Sequence, residues 1–492
     1  MMNSKHMTKI KRAALVFLSC LQLCSAPVLT AFAAPDWPQF TDEVQAQAGI
    51  VIDADTGAVL YEKDADTLYP PASTTKLLTA LIVLENCNDL NDVVTFSEEA
   101  VRDKEPDSGN RYNVAPGDQL TVEQCLHFML MQSSNQTADA LAEYIAGSND
   151  NFVLLMNNKM KELGLTASSF ENPSGLNGET QRVTARELAL LAKNAYANPK
   201  LLEISKTLSY DLPPMKNTPG GATIENKHRL VSTTDPNIDT YYPPAIAGKP
   251  GYLIAAGNTA ITYAEQDGRR LIAVVLKGQK LHYFVDSKKM FQYGFSGFEN
   301  QVISEPELNT FTDADLQYLQ NLGLSSSDVT VSGSLTVTVP KETTPDSLQR
   351  NITSLPSGVY PDKALAVLEY LYQGHVIGST YLTDIRKPAA SEPVPENLSQ
   401  TGVPTGETEV PDSGQTPDTT DPQPAKKGNG LLIFLVIVLI LIVGGLGGFF
   451  YYLRQQEMKR MEDRRKKRRQ RLEEMGISQE EFEQMKQAVK RK

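Results

Sequence analysis

The chain of 492 residues is too long for one ordinary folded unit and predicts two domains with connecting segments. Apolar residues make up 41% and charged residues 22%, which excludes a largely disordered chain. The net charge of −12 excludes nucleic acid as an expected partner, because its phosphates attract a surplus of Lys and Arg. The five His residues are scattered and the Cys residues lack metal-ligand spacing, so we expect no metal or other cofactor.

Residues 1–33 have the features of a secretory signal peptide. A basic start precedes an apolar run over residues 13–28, and Ala31-Phe32-Ala33 has the small residues of a cleavage site. We therefore expect cleavage after Ala33 and export of the rest. A retained membrane anchor is the alternative, which the short apolar run disfavours.

Residues 34–299 predict one mixed α/β (α+β) domain. A hairpin signal covers residues 49–61, and residues 73–85 predict a helix that is apolar nearly all round and therefore buried. Further helical periodicity covers residues 122–145, 151–163 and 184–196, and strand patterns cover residues 246–249, 259–264 and 270–277. Strands at both ends with helices between them predict a mostly antiparallel sheet, closed by the N-terminal hairpin.

Residues 300–386 predict a small β-rich domain. Apolar and polar residues alternate over residues 329–339, and two further strand patterns, 364–372 and 376–382, flank Gln373-Gly374. Residues 387–430 are rich in Pro, Thr and Glu and predict an extended linker.

Residues 431–453 carry no charge and are long enough to form a transmembrane helix. The following tail, residues 454–492, holds 14 Lys and Arg against 8 Asp and Glu. The positive-inside rule then predicts a cytoplasmic tail and places the domain of residues 34–299 outside the cytoplasm, with a single pass through the cell membrane. The lipid bilayer is thus an expected partner of the C-terminal helix.

Two cysteines, Cys87 and Cys125, remain after signal cleavage. Both lie in apolar stretches that predict helices, so two buried thiols are favoured over a disulfide.

Ser73 and Lys76 are the first candidates for chemistry. Their spacing places a hydroxyl and an amine on the same face of a helix, one turn apart. A lysine can act as a base only when it is neutral, which burial and a neighbouring cation both favour. The motif by itself is weak, because this spacing also arises by chance and the alternative is a surface pair.

Ser133, Asn135 and Lys249 strengthen the hypothesis. The order Ser-x-x-Lys, Ser-x-Asn and Lys-x-Gly resembles that of the penicillin-recognising serine enzymes. The sequences PPASTTKLLTA, MLMQSSNQTADALAEYIAG, FENPSGLNGE and RVTARELALLA are similar to those of one group within them, the low-molecular-mass penicillin-binding proteins or D-alanyl-D-alanine carboxypeptidases. The resemblance covers roughly residues 37–385 and implies a β-lactamase/transpeptidase-like catalytic fold followed by a small all-β domain.

The resemblance also implies the roles of the site residues. Ser73 would attack the carbonyl of a D-Ala-D-Ala bond in peptidoglycan stem pentapeptides, and Lys76 would take its proton. Ser133 would pass a proton to the leaving amine, Asn135 would hold the substrate amide, and Lys249 would keep Lys76 neutral and bind the terminal carboxylate. Gly251 completes the third motif, and the backbone amides of Ser73 and Tyr252 would form the oxyanion hole. β-Lactam antibiotics would be inhibitors.

Pro250 departs from the family pattern, which has Thr or Ser at this position. Proline removes a hydroxyl and a backbone donor from the cleft. Losing one charge-assisted hydrogen bond costs about 1.5–3 kcal/mol. Lys227 or Arg229 could compensate by binding the carboxylate, although ordinary surface cations are the simpler interpretation.

Two alternatives to an active carboxypeptidase follow. The first is a weakly active or inactive peptidoglycan- and penicillin-binding protein, a hypothesis based on Pro250. The second is a β-lactamase, which needs an extra carboxylate for deacylation; Glu171 is the nearby candidate but lies in the wrong sequence context.

Overall fold

The computed structural model describes residues 35–386, apart from residues 103, 106–108 and 357. The predicted signal peptide, linker, membrane span and tail lie outside these residues. Among the helices of the described part, none combines the length and apolar character needed to cross a membrane.

Strands and helices alternate irregularly along the described chain. The strands are β1 (Ala48–Asp53), β2 (Val59–Lys63), β3 (Val93–Thr95), β4 (Gln119–Thr121), β5 (Ser209–Leu212), β6 (Ala222–Glu225), β7 (Ala245–Leu253), β8 (Gly257–Gln266), β9 (Arg269–Gly278), β10 (Phe298–Ile303), β11 (Val329–Thr330), β12 (Leu335–Pro340), β13 (Gln349–Ser354), β14 (Ala364–Tyr372) and β15 (His375–Asp384). The helices are α1 (Lys76–Asn86), α2 (Glu98–Val101), α3 (Val122–Gln132), α4 (Asn135–Ala146), α5 (Asn149–Glu162), α6 (Ala185–Tyr196), α7 (Pro199–Lys206), α8 (Arg229–Ser232), α9 (His282–Gly297), α10 (Glu305–Leu308) and α11 (Asp313–Asn321).

A five-stranded sheet forms the centre of the region from Ala48 to Gly278. Its order is β2-β1-β9-β8-β7, and every neighbouring pair is antiparallel. The predicted hairpin is β1 and β2, and it lies at one end of the sheet. The predictions of a mixed α/β fold and of an antiparallel sheet ending in this hairpin are therefore confirmed. Strand β7 forms the opposite edge.

Both faces of the sheet are buried. In β1, Ile50 and Ile52 pack into a core shared with α1, α3 and α4, whereas Val51 points into a second core shared with α9. This burial on both sides accounts for the nearly continuous apolar sequence of the strand. Helix α1 lies in the first core, and its residues from Lys76 to Val83 are all buried. The expected central helix is thus present.

The stretch predicted as helical over residues 122–145 is interrupted, which corrects that prediction. Ser133 ends α3 in the left-handed conformation, with φ 63° and ψ 34°. Ser134 then caps α4, because its side chain accepts a hydrogen bond from the Thr137 amide. Apolar periodicity continues across the break, so it does not reveal this local turn.

The small β-rich region has its own core and also contains α10 and α11. Strands β11, β15, β14 and β13 form a four-stranded sheet, and β10 pairs with β12. The alternating pattern over residues 329–339 forms two strands, β11 and β12, and Gly333 lies between them with a positive φ of 78°. The paired patterns over 364–372 and 376–382 are confirmed as β14 and β15.

The thiols of Cys87 and Cys125 are both free, as predicted. Cys125 is buried, but Cys87 is only partly buried because it lies just beyond the end of α1.

Candidate active site

The turn that carries Ser73 is strongly constrained. Residues Ala72–Thr75 form a 3₁₀ turn that leads directly into α1, so Ser73 precedes the α-helix itself. Ala72 has a positive φ of 50°, a conformation that costs a residue with a side chain of the order of 1–3 kcal/mol. The hydroxyls of Thr74 and Thr259 donate to the Pro71 carbonyl at 2.7 and 3.0 Å and hold the turn in place.

Lys76 is fully buried at the first position of α1. Its Nζ lies 3.1 Å from Ser73 Oγ and 2.7 Å from Asn135 Oδ1. It also donates a hydrogen bond to the Ser174 carbonyl oxygen. The Lys76 amine therefore joins Ser73, from its own motif, to Asn135, from the second motif.

Lys249 and Ser133 form a second contact. Lys249 is 1% exposed, and its Nζ lies 3.0 Å from Ser133 Oγ and 2.8 Å from the Pro250 carbonyl oxygen. Ser133 has a left-handed conformation, so its side chain does not continue the helical arrangement of the α3 side chains. The break that the periodicity missed therefore places a predicted site residue.

Strand β7 brings the third motif against the Ser73 turn. A Cβ atom at Gly251 would lie 2.7 Å from the Ser73 backbone nitrogen and 2.6 Å from Thr259 Oγ1. Only glycine permits so close an approach without a shift of the backbone. Tyr252 follows with its side chain 63% exposed. Pro250 lies on this edge strand, and sheet edges tolerate proline because one side of the strand lacks a partner.

His228 packs against the same strand, β7. The sequence motifs assigned it no role. Its Nε2 lies 2.9 Å from Thr262 Oγ1, and its ring is so close to Gly248 that a Cβ there would lie 2.7 Å from it. Burial lowers the pKa of His228 to about 3, and the charge of Lys249 acts in the same direction. The imidazole is therefore neutral at pH 7 and adds no second cation beside Lys249.

The loop that supplies the Ser174 carbonyl was also missed as a contributor to the site. Asn172 Oδ1 accepts hydrogen bonds from the amides of Gly175 and Leu176 at 2.7 and 3.0 Å. Gly175 has a φ of 82° and fits so tightly that a Cβ would lie 1.9 Å from the Ala72 carbonyl oxygen. The Asn-Pro-Ser-Gly sequence signals a turn, but not its contact with Lys76.

The remaining candidates are peripheral to this cluster. Lys227 and Arg229 are exposed, and the Lys227 amide donates to the Met131 carbonyl at 3.3 Å, just before Ser133. The Glu171 carboxylate accepts hydrogen bonds from the amide and hydroxyl of Thr180, within its own loop.

A serine hydroxyl beside a buried lysine amine, on a mixed α/β fold with an antiparallel sheet, is an arrangement typical of one class of serine peptidases. The chain belongs to the D-alanyl-D-alanine carboxypeptidase family, whose sequence pattern matches residues 33–280. The resemblance predicted from the motifs is therefore confirmed.

Individual relatives agree with this assignment. The chain is 30% identical over 290 residues to D-alanyl-D-alanine carboxypeptidase DacF of Bacillus subtilis, a match that covers 58% of this chain and 70% of the relative. It is 32% identical over 292 residues to DacC of Escherichia coli, covering 58% and 69%. Penicillin binding protein 5 from Haemophilus influenzae shares the fold, with a TM-score of 0.55 at 22% identity over 70% of this chain and 98% of that chain.

The fit of Gly251 against the Ser73 turn generates a prediction. We expect Gly251→Ala to lower the rate of acylation by a fluorescent penicillin at least about tenfold, because the added methyl displaces β7 from the Ser73 amide. Gly220→Ala is the matched control, since a Cβ there meets nothing within 4 Å. Equal rates for the Gly251 variant and the wild type would contradict the assigned geometry.

Proposed function

We propose that this serine D-alanyl-D-alanine carboxypeptidase removes the terminal D-alanine from peptidoglycan stem pentapeptides through an acyl-enzyme on Ser73. The observation that carries the proposal is the buried contact of Lys76 with Ser73, Asn135 and the Ser174 carbonyl. Ser133 and Lys249 lie in contact beside it. β-Lactams, which carry a reactive acyl group, would acylate the same serine.

The contacts of Lys76 suit a neutral amine. The oxygens of Asn135 and Ser174 can only accept hydrogen bonds, so each occupies one N–H of Lys76. A neutral amine has two N–H groups and one lone pair, and that lone pair is then available to the Ser73 hydroxyl at 3.1 Å. Lys76 would accept the serine proton as Ser73 Oγ bonds to the substrate carbonyl carbon.

Collapse of the tetrahedral intermediate needs a proton at the departing amine. Ser133 Oγ, 3.0 Å from Lys249 Nζ, is the group proposed to deliver it as the C–N bond breaks and D-alanine leaves, and Ser133 would regain a proton from the Lys76 ammonium. Water would then attack the acyl-enzyme, release the shortened peptide and return the proton to Ser73. The backbone amides of Ser73 and Tyr252 are the proposed oxyanion donors, supported by the close packing of Gly251 on the Ser73 nitrogen.

The terminal carboxylate of the substrate would bind near Lys249. Pro250 supplies no hydroxyl, but its carbonyl holds the Lys249 ammonium at 2.8 Å. Lys227 lies in the segment that runs beside the end of α3, so its exposed side chain is a proposed substitute for the missing donor. Asn135 would hold the substrate amide in addition to orienting Lys76.

Release of D-alanine tests the proposal. We expect the purified wild-type domain to release D-alanine from a peptide ending in D-Ala-D-Ala and to form a covalent penicillin adduct. Ser73→Ala removes the proposed nucleophile and should abolish both, with an unchanged thermal unfolding midpoint as the control for folding. Mass spectrometry of the adduct and an assay of free D-alanine provide the measurements. A Ser73→Ala variant that still releases D-alanine at the wild-type rate would contradict the proposal.

Pro250 favours a second candidate, a protein that binds stem peptides and penicillin but turns them over weakly. On that view Pro250→Thr restores the hydroxyl and raises kcat/KM for D-alanine release about ten- to a hundredfold. Pro250→Ala restores the backbone N–H without the hydroxyl and so separates the two effects. If neither variant is faster than the wild type, Pro250 does not limit turnover and this candidate is rejected.

We also propose that the enzyme acts outside the cell as a single-pass membrane protein with a cytoplasmic tail. The apolar, uncharged segment 431–453 and the basic tail support this placement. The β-lactamase alternative gains no support, because Glu171 engages Thr180.

Truncation tests the proposed anchor. A chain that ends at residue 386 should appear in the culture medium, whereas the full chain should sediment with membranes and be digested by protease added outside intact cells. Retention of the truncated chain in the membrane fraction would contradict the anchor, and protection of the full chain from external protease would contradict the orientation.

A further inference from the structure

A buried carboxylate lies one helical turn beyond the site residue Asn135. Asp139 is 2% exposed and follows Asn135 by four positions on α4, on the same face of the helix. Asn135 contacts the Lys76 amine at 2.7 Å, so α4 brings an acidic group close to the proposed base. A negative charge here favours the protonated form of Lys76, which cannot accept a proton, unless another cation compensates that charge.

Lys104 compensates this charge. Its Nζ lies 3.0 Å from Asp139 Oδ2, and it also reaches Glu99 at 3.8 Å. Asp139 Oδ1 is buried and has no hydrogen-bond partner among the residues that the structure describes. Lys104 is therefore the cation that holds the Asp139 carboxylate directly.

The charges around Asp139 link it to Lys76. Burial raises the pKa of Asp139 to about 6, and Glu143 acts in the same direction. The charges of Lys104 and Lys76 oppose this rise. Because coupling between two charged groups is reciprocal, an ionised Asp139 in turn favours the protonated form of Lys76.

Glu105, the next residue in the sequence, contacts the loop that follows Ser174. Its carboxylate accepts hydrogen bonds from the backbone and side-chain nitrogens of Asn177 at 2.5 and 2.8 Å. Asn177 belongs to the loop whose Ser174 carbonyl binds Lys76. Lys104 and Glu105 thus connect with both segments that supply acceptors to the Lys76 amine.

We propose that Lys104 is a positioning residue for acylation, acting through Asp139: it neutralises the Asp139 carboxylate and so leaves Lys76 free to be the neutral base. The inference rests on the proposed roles of Ser73 and Lys76. Lys104 and Asp139 touch neither substrate nor reacting atoms in this scheme. Their effect is on the pH at which the base becomes active.

The test is the pH profile of acylation by a fluorescent penicillin, measured from about pH 5 to about pH 9 on the whole chain. Lys104→Met removes a cation that opposes the rise in the Asp139 pKa, so Asp139 keeps its proton up to a higher pH than in the wild type. Above that pH the uncompensated carboxylate favours protonated Lys76, and the acid limb of the profile should move up by about one pH unit. Asp139→Asn removes the carboxylate and should not move the limb upward. The double variant should return the limb to the position seen with Asp139→Asn alone, and Lys104→Arg should resemble the wild type.

Asn177→Ala is the matched control, because it releases Glu105 without changing any charge. It is expected to lower the rate without moving the limb. If Lys104→Met and Asp139→Asn lower the rate equally and neither moves the limb, the contact is merely structural and the inference is overturned. Wild-type protein that releases no D-alanine but is acylated overturns the carboxypeptidase activity alone. Wild-type protein that is not acylated at all overturns both.

Discussion

The amine of Lys76 is the contact on which the rest of the site depends. It is buried at the start of the central helix, where water cannot satisfy its hydrogen bonds. Two carbonyl oxygens from distant segments, those of Asn135 and Ser174, take up that requirement. These two acceptors help to hold the amine beside the Ser73 hydroxyl.

Close packing around the Ser73 turn serves the same arrangement. Ala72 adopts a left-handed conformation that would be unfavourable alone, and surrounding hydroxyls and carbonyls stabilise it. Gly175 presses on this turn from one side and Gly251 from the other, each at a distance that excludes a side chain. The turn is therefore strained, and its close packing leaves no room for side chains at Gly175 and Gly251.

Electrostatics within the site differ from those of the chain as a whole. The chain is acidic, yet two fully buried lysines, Lys76 and Lys249, belong to the site. The neutral His228 lies beside one of them, and the Asp139 carboxylate near the other is matched by Lys104. Burial makes the charges of Lys76, Lys249 and Asp139 costly, so each depends on the groups that the fold places around it.

Local patterns were sufficient for much of this structure. The hairpin β1-β2, the buried helix after Ser73, strands β7 to β9 and the hairpin β14-β15 all follow from periodicity and turn residues. The three motifs also identified Ser73, Lys76, Ser133, Asn135, Lys249 and Gly251 as one cluster. These features depend on neighbouring residues or on motif order, and both are visible along the chain.

Other features exist only through contacts between distant segments. The Ser174 carbonyl on Lys76, the His228 ring beside Gly248 and the pairing of Asp139 with Lys104 leave no periodic signal. The sequence by itself determined which chemical groups the protein has and which elements carry them. The tertiary structure decided the distances between those groups and their burial. Folding removes the groups from water, and this makes it easier for a lysine to lose its proton and more costly for a carboxylate to be charged.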